Sequence, residues 1–324
     1  MKKELYNAAH NALKICMALQ PKEKLLVIFD APEKQIGEAL FVAGQELGAE
    51  TLAIQIPELE FNGQEPPEEV AKLMQQMHAV ICPTSKSLTH TDARRNACKA
   101  NARVATMPNI QLETMIRGMS ADYHRIASLS DKVAEILTAG NEAHLTTPKG
   151  TDIIIPIKDI EAISSRGLVT QAGTYGNLPS GEAFLMPIEG ASQGRFIVDA
   201  SMASIGKTDQ DPIEIIVKDG MATDILGGDN ARKLNAIVDA VGPQGRNLAE
   251  LGVGTNYMAE ICGEILEDEK VLGTAHLAIG NNVSMGGTVN VKLHLDGVMF
   301  HPTLTIDGKL LLDNGRLLVD ETSN

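Results

Sequence analysis

From Leu5 to Leu19 apolar side chains return every three or four residues (Leu5, Ala8, Ala9, Ala12, Leu13, Cys16, Leu19), which predicts an amphipathic helix at the start of the chain. Lys24-Leu-Leu-Val-Ile-Phe-Asp30 follows, an unbroken apolar run of the kind that forms a strand covered on both faces. Helical spacing resumes over Lys34–Leu47. The pattern then predicts a strand at Thr51–Ile56, a helix at Glu68–Met77, a strand at Ala79–Cys82, a helix at Thr91–Ala100 and a strand at Arg103–Thr106. Repeated strand–helix units of this kind build an open parallel sheet flanked by helices. A last helix closes over Ser130–Gly140.

From Leu145 the rhythm changes to period two. Asp152–Ile157, Arg195–Ala200, Ile213–Val217 and Gly287–His294 read as strands, and Asp219-Gly220 and Asp307-Gly308 as hairpin turns. Helices are expected at Ala231–Ala240 and around Asn256–Leu266. The fold class is therefore α/β, with an N-terminal open parallel sheet and flanking helices plus a C-terminal α+β domain rich in antiparallel strands. A length of 324 residues suits two domains, and the change of rhythm puts the boundary near residue 140, giving 1–140 and 141–324.

Composition narrows the partners. A net charge of −14 opposes a nucleic-acid footprint or an anionic membrane surface. The chain has no Trp and an aromatic share of 3%, which removes the platforms on which bases or sugars stack. No apolar run approaches the roughly 18–20 residues of a membrane span. Amphipathic helix follows the N-terminal lysines where a secretion signal has an unbroken apolar stretch, so the cytoplasm is the expected compartment. Cys16, Cys82, Cys98 and Cys262 lack CxxC spacing and are expected to be reduced and structural, Cys16 and Cys262 in apolar helices.

The first half offers little chemistry. Its first strand ends in Asp30-Ala-Pro-Glu, with no glycine-rich phosphate loop. Thr89-His90-Thr91-Asp92 sets a His near an Asp, although either Thr serves well as a helix N-cap.

The second half is richer. His294 and Asp296 stand two apart in a strand-like segment and so share one face. His276 lies within an apolar strand ending in glycine, where a buried imidazole needs a partner. Two histidines and a carboxylate are a common set for a divalent ion. Glu182 starts a strand after a Pro/Gly turn, Glu250 interrupts an apolar, glycine-rich stretch, and Glu269 ends an acidic helix. A buried carboxylate must be paired, protonated or metal-bound. If all six converge, four carboxylates repel one another until cations neutralise them, and two divalent ions do so.

Four blocks, Asn177-Leu-Pro-Ser-Gly-Glu182, Asn247-Leu-Ala-Glu250, Asp268-Glu269 through His276-Leu-Ala-Ile-Gly, and His294-Leu-Asp296, resemble the M29 metalloaminopeptidases of the aminopeptidase T and aminopeptidase S type. The resemblance implies metal ligands at Glu182, Glu250, His276, His294 and Asp296, with Glu250 bridging two ions (Zn, Co or Mn) and Glu269 in the remaining acidic position. It also implies a homodimer. On this reading the chain removes N-terminal residues from short peptides through a metal-activated water, with Glu250 or Glu269 moving the proton. The chain departs from the pattern in the spacing of Glu269 and His276, in its shorter length, and in having no Tyr after Tyr257. Shorter relatives of the fold include 2,5-dihydroxypyridine dioxygenases, and the alternative is a ring-cleaving enzyme with one Fe(II) on His276, His294 and Asp296. A metal-binding homologue without turnover is the third reading.

Overall fold

In the first half, strands made of continuous apolar runs lie side by side. The structure, a computed structural model, describes residues 3–319, so Met1 and Lys2 lie outside the described residues. Lys24–Phe29 and Ala79–Thr84 are central and almost wholly buried, as parallel strands covered on both faces must be. The order across this parallel sheet is Glu50–Gln55, Lys24–Phe29, Ala79–Thr84, Arg103–Pro108 and Tyr175–Asn177. Helices Lys34–Glu46, Glu68–Met74 and Asp92–Lys99 connect the first four. Thr91 caps the last of these, its side chain accepting the Arg94 N–H at 3.2 Å. Thr89 is engaged with Thr106 at 2.8 Å.

The second half is built from two antiparallel sheets that share one apolar core. The eight-stranded sheet runs Met221–Gly227, Ile213–Lys218, Gln193–Val198, Asp152–Pro156, Glu142–Thr146, Thr303–Ile306, Lys309–Asp313 and Arg316–Leu317. The seven-stranded sheet runs Gly206–Lys207, Ser201–Met202, His294–Met299, Ala275–Gly280, Leu248–Gly254, Glu182–Leu185 and Ile163–Ser165. Phe196, Ile153, Ile215 and Leu304 of the first sheet and Leu251, Leu277, Ile279 and Leu295 of the second belong to that core. Both expected Asp-Gly turns have two successive positive φ angles, 49° and 67° at Asp219-Gly220 and 49° and 77° at Asp307-Gly308. This is the mirror-image turn whose twist matches a hairpin.

The outlines of the elements differ from the sequence pattern in places. Two compact units comprise residues 1–125 with 167–180, and residues 126–166 with 181–324. The division thus falls within the helix Tyr123–Ala139 rather than near residue 140, and Tyr175–Asn177 returns to the first sheet. Gly287–His294 is not a strand. The Thr288 and Val289 N–H groups donate to Glu189 and Asn282 side chains instead of to a neighbouring strand, and the strand begins at His294. The helix expected around Asn256–Leu266 shrinks to Ile265–Asp268, because Cys262 and Gly263 give their N–H groups to the Asp268 carboxylate. Cys262 therefore lies in a loop, while Cys16 is buried in a helical turn. No helix among the described residues is long and apolar enough to cross a membrane.

Candidate metal centre

Four neighbouring strands of the seven-stranded sheet carry five of the six expected residues. Glu182 opens Glu182–Leu185, Glu250 lies in Leu248–Gly254, His276 in Ala275–Gly280, and His294 and Asp296 in His294–Met299. The register explains how one face admits so many polar groups. Gly254 lies opposite Glu182, Gly252 opposite His276 and Gly280 opposite His294, while Ala278 separates Glu250 from Asp296. Every polar side chain thus has a glycine or alanine across from it. At Gly252 a Cβ would lie 2.0 Å from His276 Nε2, so the imidazole uses the space a side chain would fill. Glu269 comes from outside the sheet, at the C-terminal cap of Ile265–Asp268.

The structure brings all six residues together. His276 Nε2 lies 3.3 Å from Glu250 Oε1 and 3.5 Å from Glu182 Oε2. His294 Nε2 lies 3.3 Å from both Glu250 Oε2 and Asp296 Oδ1. Three sets of donor atoms fall within 4.8 Å of one another: Glu182 with Glu250 and His276, Glu250 with His294 and Asp296, and Glu269 with His276 and Asp296. Glu250 and Asp296 each occur with both histidines; Glu182 and Glu269 occur once each. Metal–ligand bonds of about 2.1 Å at near-right angles set adjacent donors about 3 Å apart, close to the separations here.

Two further observations fit a cation. His294 Nδ1 lies 2.8 Å from the Asn281 carbonyl, to which its N–H donates, so Nε2 is the ring nitrogen that faces Glu250 and Asp296 and would bind an ion. Glu182 Oε2, Asp296 Oδ1 and His276 Nδ1 are shut off from solvent and make no hydrogen bond, a costly state for buried polar atoms. The electrostatics agree. Burial disfavours imidazolium, yet Glu250 and Glu182 pull His276 up to about 9, and Asp296 and Glu250 hold His294 well above its ordinary value. Burial likewise opposes a charged Asp296, but the two histidines and Lys270 bring it down to about 2. Glu269 moves the other way, up to about 8, because burial and its acidic neighbours outweigh Lys270.

Lys270 is the residue that sequence reasoning missed. Its side chain is 1% exposed, and its ammonium donates to Glu182 Oε1 at 2.8 Å and to Glu269 Oε1. Burial alone would lower its pKa, but the two carboxylates raise it. A lysine directly after Asp268-Glu269 reads as part of a solvated charged face, and Glu182 is 88 residues away. The small residues facing the site did leave a signal, the alternation Glu250-x-Gly252-x-Gly254 and His276-x-Ala278-x-Gly280.

A family model described as NicX, 2,5-dihydroxypyridine 5,6-dioxygenase, matches residues 4–319. The chain belongs to this family. The fold of the NicX-family chain is similar to that of 2,5-dihydroxypyridine dioxygenase from Pseudomonas putida KT2440, with a TM-score of 0.86 at 17% identity over 98% of each chain. It is also similar to AmpT from Thermus thermophilus, with a TM-score of 0.68 at 15% identity over 98% of this chain and 100% of that one. No curated protein sequence matches it. The aminopeptidase resemblance is thus a kinship of fold. The family match corrects the activity drawn from it: the chain is placed with dioxygenases, which are oxidoreductases, and not with hydrolases, peptidases or proteases.

Proposed function

We propose that this NicX-family chain is an iron(II)-dependent dioxygenase that opens the ring of a dihydroxypyridine, with 2,5-dihydroxypyridine as the first substrate to test. The observation that carries the reading is the family match over residues 4–319. The chemistry of the site supports it. Asp296 shares one donor set with His294 and another with His276, and these three would hold the ion, a two-histidine, one-carboxylate set that leaves positions open for substrate and O₂. When bound, iron(II) supplies a Lewis-acidic, redox-active centre where a hydroxylated ring and O₂ meet.

The protein's own groups prepare that centre. Asn281 fixes the His294 tautomer through the Nδ1–H bond. Gly252 and Ala278 keep the sheet face open beside the imidazoles. Glu250, within 3.3 Å of both imidazoles, is placed to accept the proton of a ring hydroxyl as the substrate binds in its anionic form. Glu269, whose carboxyl is pushed up to about 8, can hold a proton near neutral pH and return it to the opened product. A homodimer is part of the proposal, checked by light scattering.

The test is oxygen uptake by protein reconstituted with Fe(II) under anaerobic conditions and then given 2,5-dihydroxypyridine and O₂. Equimolar loss of O₂ and of ring absorbance is expected, and His294→Ala and Asp296→Ala should abolish both along with stoichiometric iron binding. Intact substrate in the presence of fully iron-loaded wild type would sink the reading.

A further inference from the structure

Lys270 gives the cluster a cation of its own, and its position divides the six residues into two halves. Glu250 and Asp296 each approach both histidines, whereas Glu182 and Glu269, the two that occur in one donor set each, are the pair the Lys270 ammonium grips. The ammonium is held in place. The Lys270 N–H donates to the Glu267 carbonyl at 2.9 Å, and its carbonyl accepts from Asn256 N–H at 2.8 Å. The side chain is 1% exposed and engages both carboxylates. An ammonium has three donors and no acceptor, so it can satisfy carboxylate oxygens but never ligate a metal. A divalent ion bound between Glu182 and Glu269 would have to lie where the ammonium now is, or beside it with like charge in a poorly screened interior.

Resting on the metal-centre reading above, we propose that the Lys270 ammonium stands in for a second metal ion, limiting the centre to one divalent ion and keeping Glu182 and Glu269 off it. With all four carboxylates ionised, the ammonium leaves three negative charges; one divalent ion brings these to one negative and two bring them to one positive, so the position of the ammonium between Glu182 and Glu269, and not the sum, excludes the second ion.

The experiment is a metal count on the full chain. Metal-free protein is titrated with Mn²⁺ under equilibrium dialysis, and bound metal is read by elemental analysis and electron paramagnetic resonance. Wild type should saturate at one Mn²⁺ per chain with a mononuclear spectrum. Lys270→Met and Lys270→Gln should each take up a second ion and show a spin-coupled pair, an increase in binding that mere structural damage would not produce. If either variant is unfolded without metal, Mn²⁺ should restore its fold as the second ion replaces the lost charge. Two ions in wild type, one ion in both folded variants, or two variants that stay unfolded at saturating Mn²⁺ would each overturn the proposal. Wild type with one Mn²⁺ whose iron form leaves dihydroxypyridine intact would remove the dioxygenase reading and leave this one standing. Two ions in an active wild type would do the reverse.

Discussion

Gly252→Ala tests whether the open face of the sheet makes the centre. The Cβ added by this change would lie 2.0 Å from His276 Nε2, 2.3 Å from Cε1 and 2.9 Å from Cδ2. Non-bonded carbon contacts settle near 3.5 Å, so the imidazole must retreat by roughly 1.5 Å. That exceeds the tolerance of about 0.2 Å in metal–ligand distance several-fold. Gly252 is absent from the positive-φ positions, so the effect comes through the ring and not through the backbone. Losing outer support of a ligand costs about 10–100-fold in metal affinity, and displacing the ligand itself should cost at least about 100-fold, or about 2.7 kcal/mol. His276 is wholly buried, and the overpacking should cost about 1–3 kcal/mol of stability. Leu251→Ala is the internal control. Its side chain lies on the opposite face in the shared core, so it should lose about 2–5 kcal/mol of stability and keep its metal affinity. Calorimetric titration with Mn²⁺ and thermal melts with and without metal separate the two effects. A folded Gly252→Ala chain that binds Mn²⁺ within about threefold of wild type, under 1 kcal/mol apart, would refute the argument.

Other changes probe the scaffold. Phe196→Ala, at a fully buried core position, should lower unfolding free energy by about 3–5 kcal/mol in urea titration. Burial would raise the Glu23 carboxyl, but Arg103 at 2.5 Å and the Gln20 N–H hold it below its ordinary 4.5. A depressed carboxylate contributes stability above its unfolded pKa and loses it as pH falls, so Glu23→Gln should lose less stability than wild type between about pH 6 and pH 3. Native thiol labelling at neutral pH, read by mass spectrometry, should spare Cys16, held well up by burial, and Cys82, pushed up to about 12. Cys98 should react before Cys262, which burial and the nearby Asp268 and Glu267 also push up to about 12, and denaturation should expose all four thiols.

The parallel sheet was legible in the sequence because its physics is local. Lys24–Phe29 has to be covered on both faces, and Thr91 has to satisfy the first N–H groups of its helix. The segments that escaped pattern reading are governed by side chains distant in sequence or by competing local bonds. Nothing in Gly287–Leu293 announces that Glu189, some hundred residues away, takes the Thr288 N–H. The apolar spacing across Asn256–Leu266 looks helical until Asp268 reaches back to Cys262 and Gly263. Tyr175–Asn177 is only three residues long, and its place beside Arg103–Pro108 follows from the return of the chain to the first sheet, not from its own composition.

The cluster of polar side chains was legible for a different reason. A His or Glu inside an apolar strand contradicts its surroundings, and Glu250, His276 and Asp296 do so in three strands that prove to be neighbours. Lys270 produced no such contradiction, because lysine after two acidic residues is ordinary on a surface and its burial depends on a partner 88 residues earlier. That omission mattered more than any misplaced boundary. Four carboxylates counted alone ask for two divalent ions; the buried ammonium supplies part of that positive charge and lies between Glu182 and Glu269, where a second ion would bind. Ligand residues alone therefore do not determine how many metals a site takes. The deciding charge here belongs to a residue that cannot bind metal, and only the fold reveals that it is present.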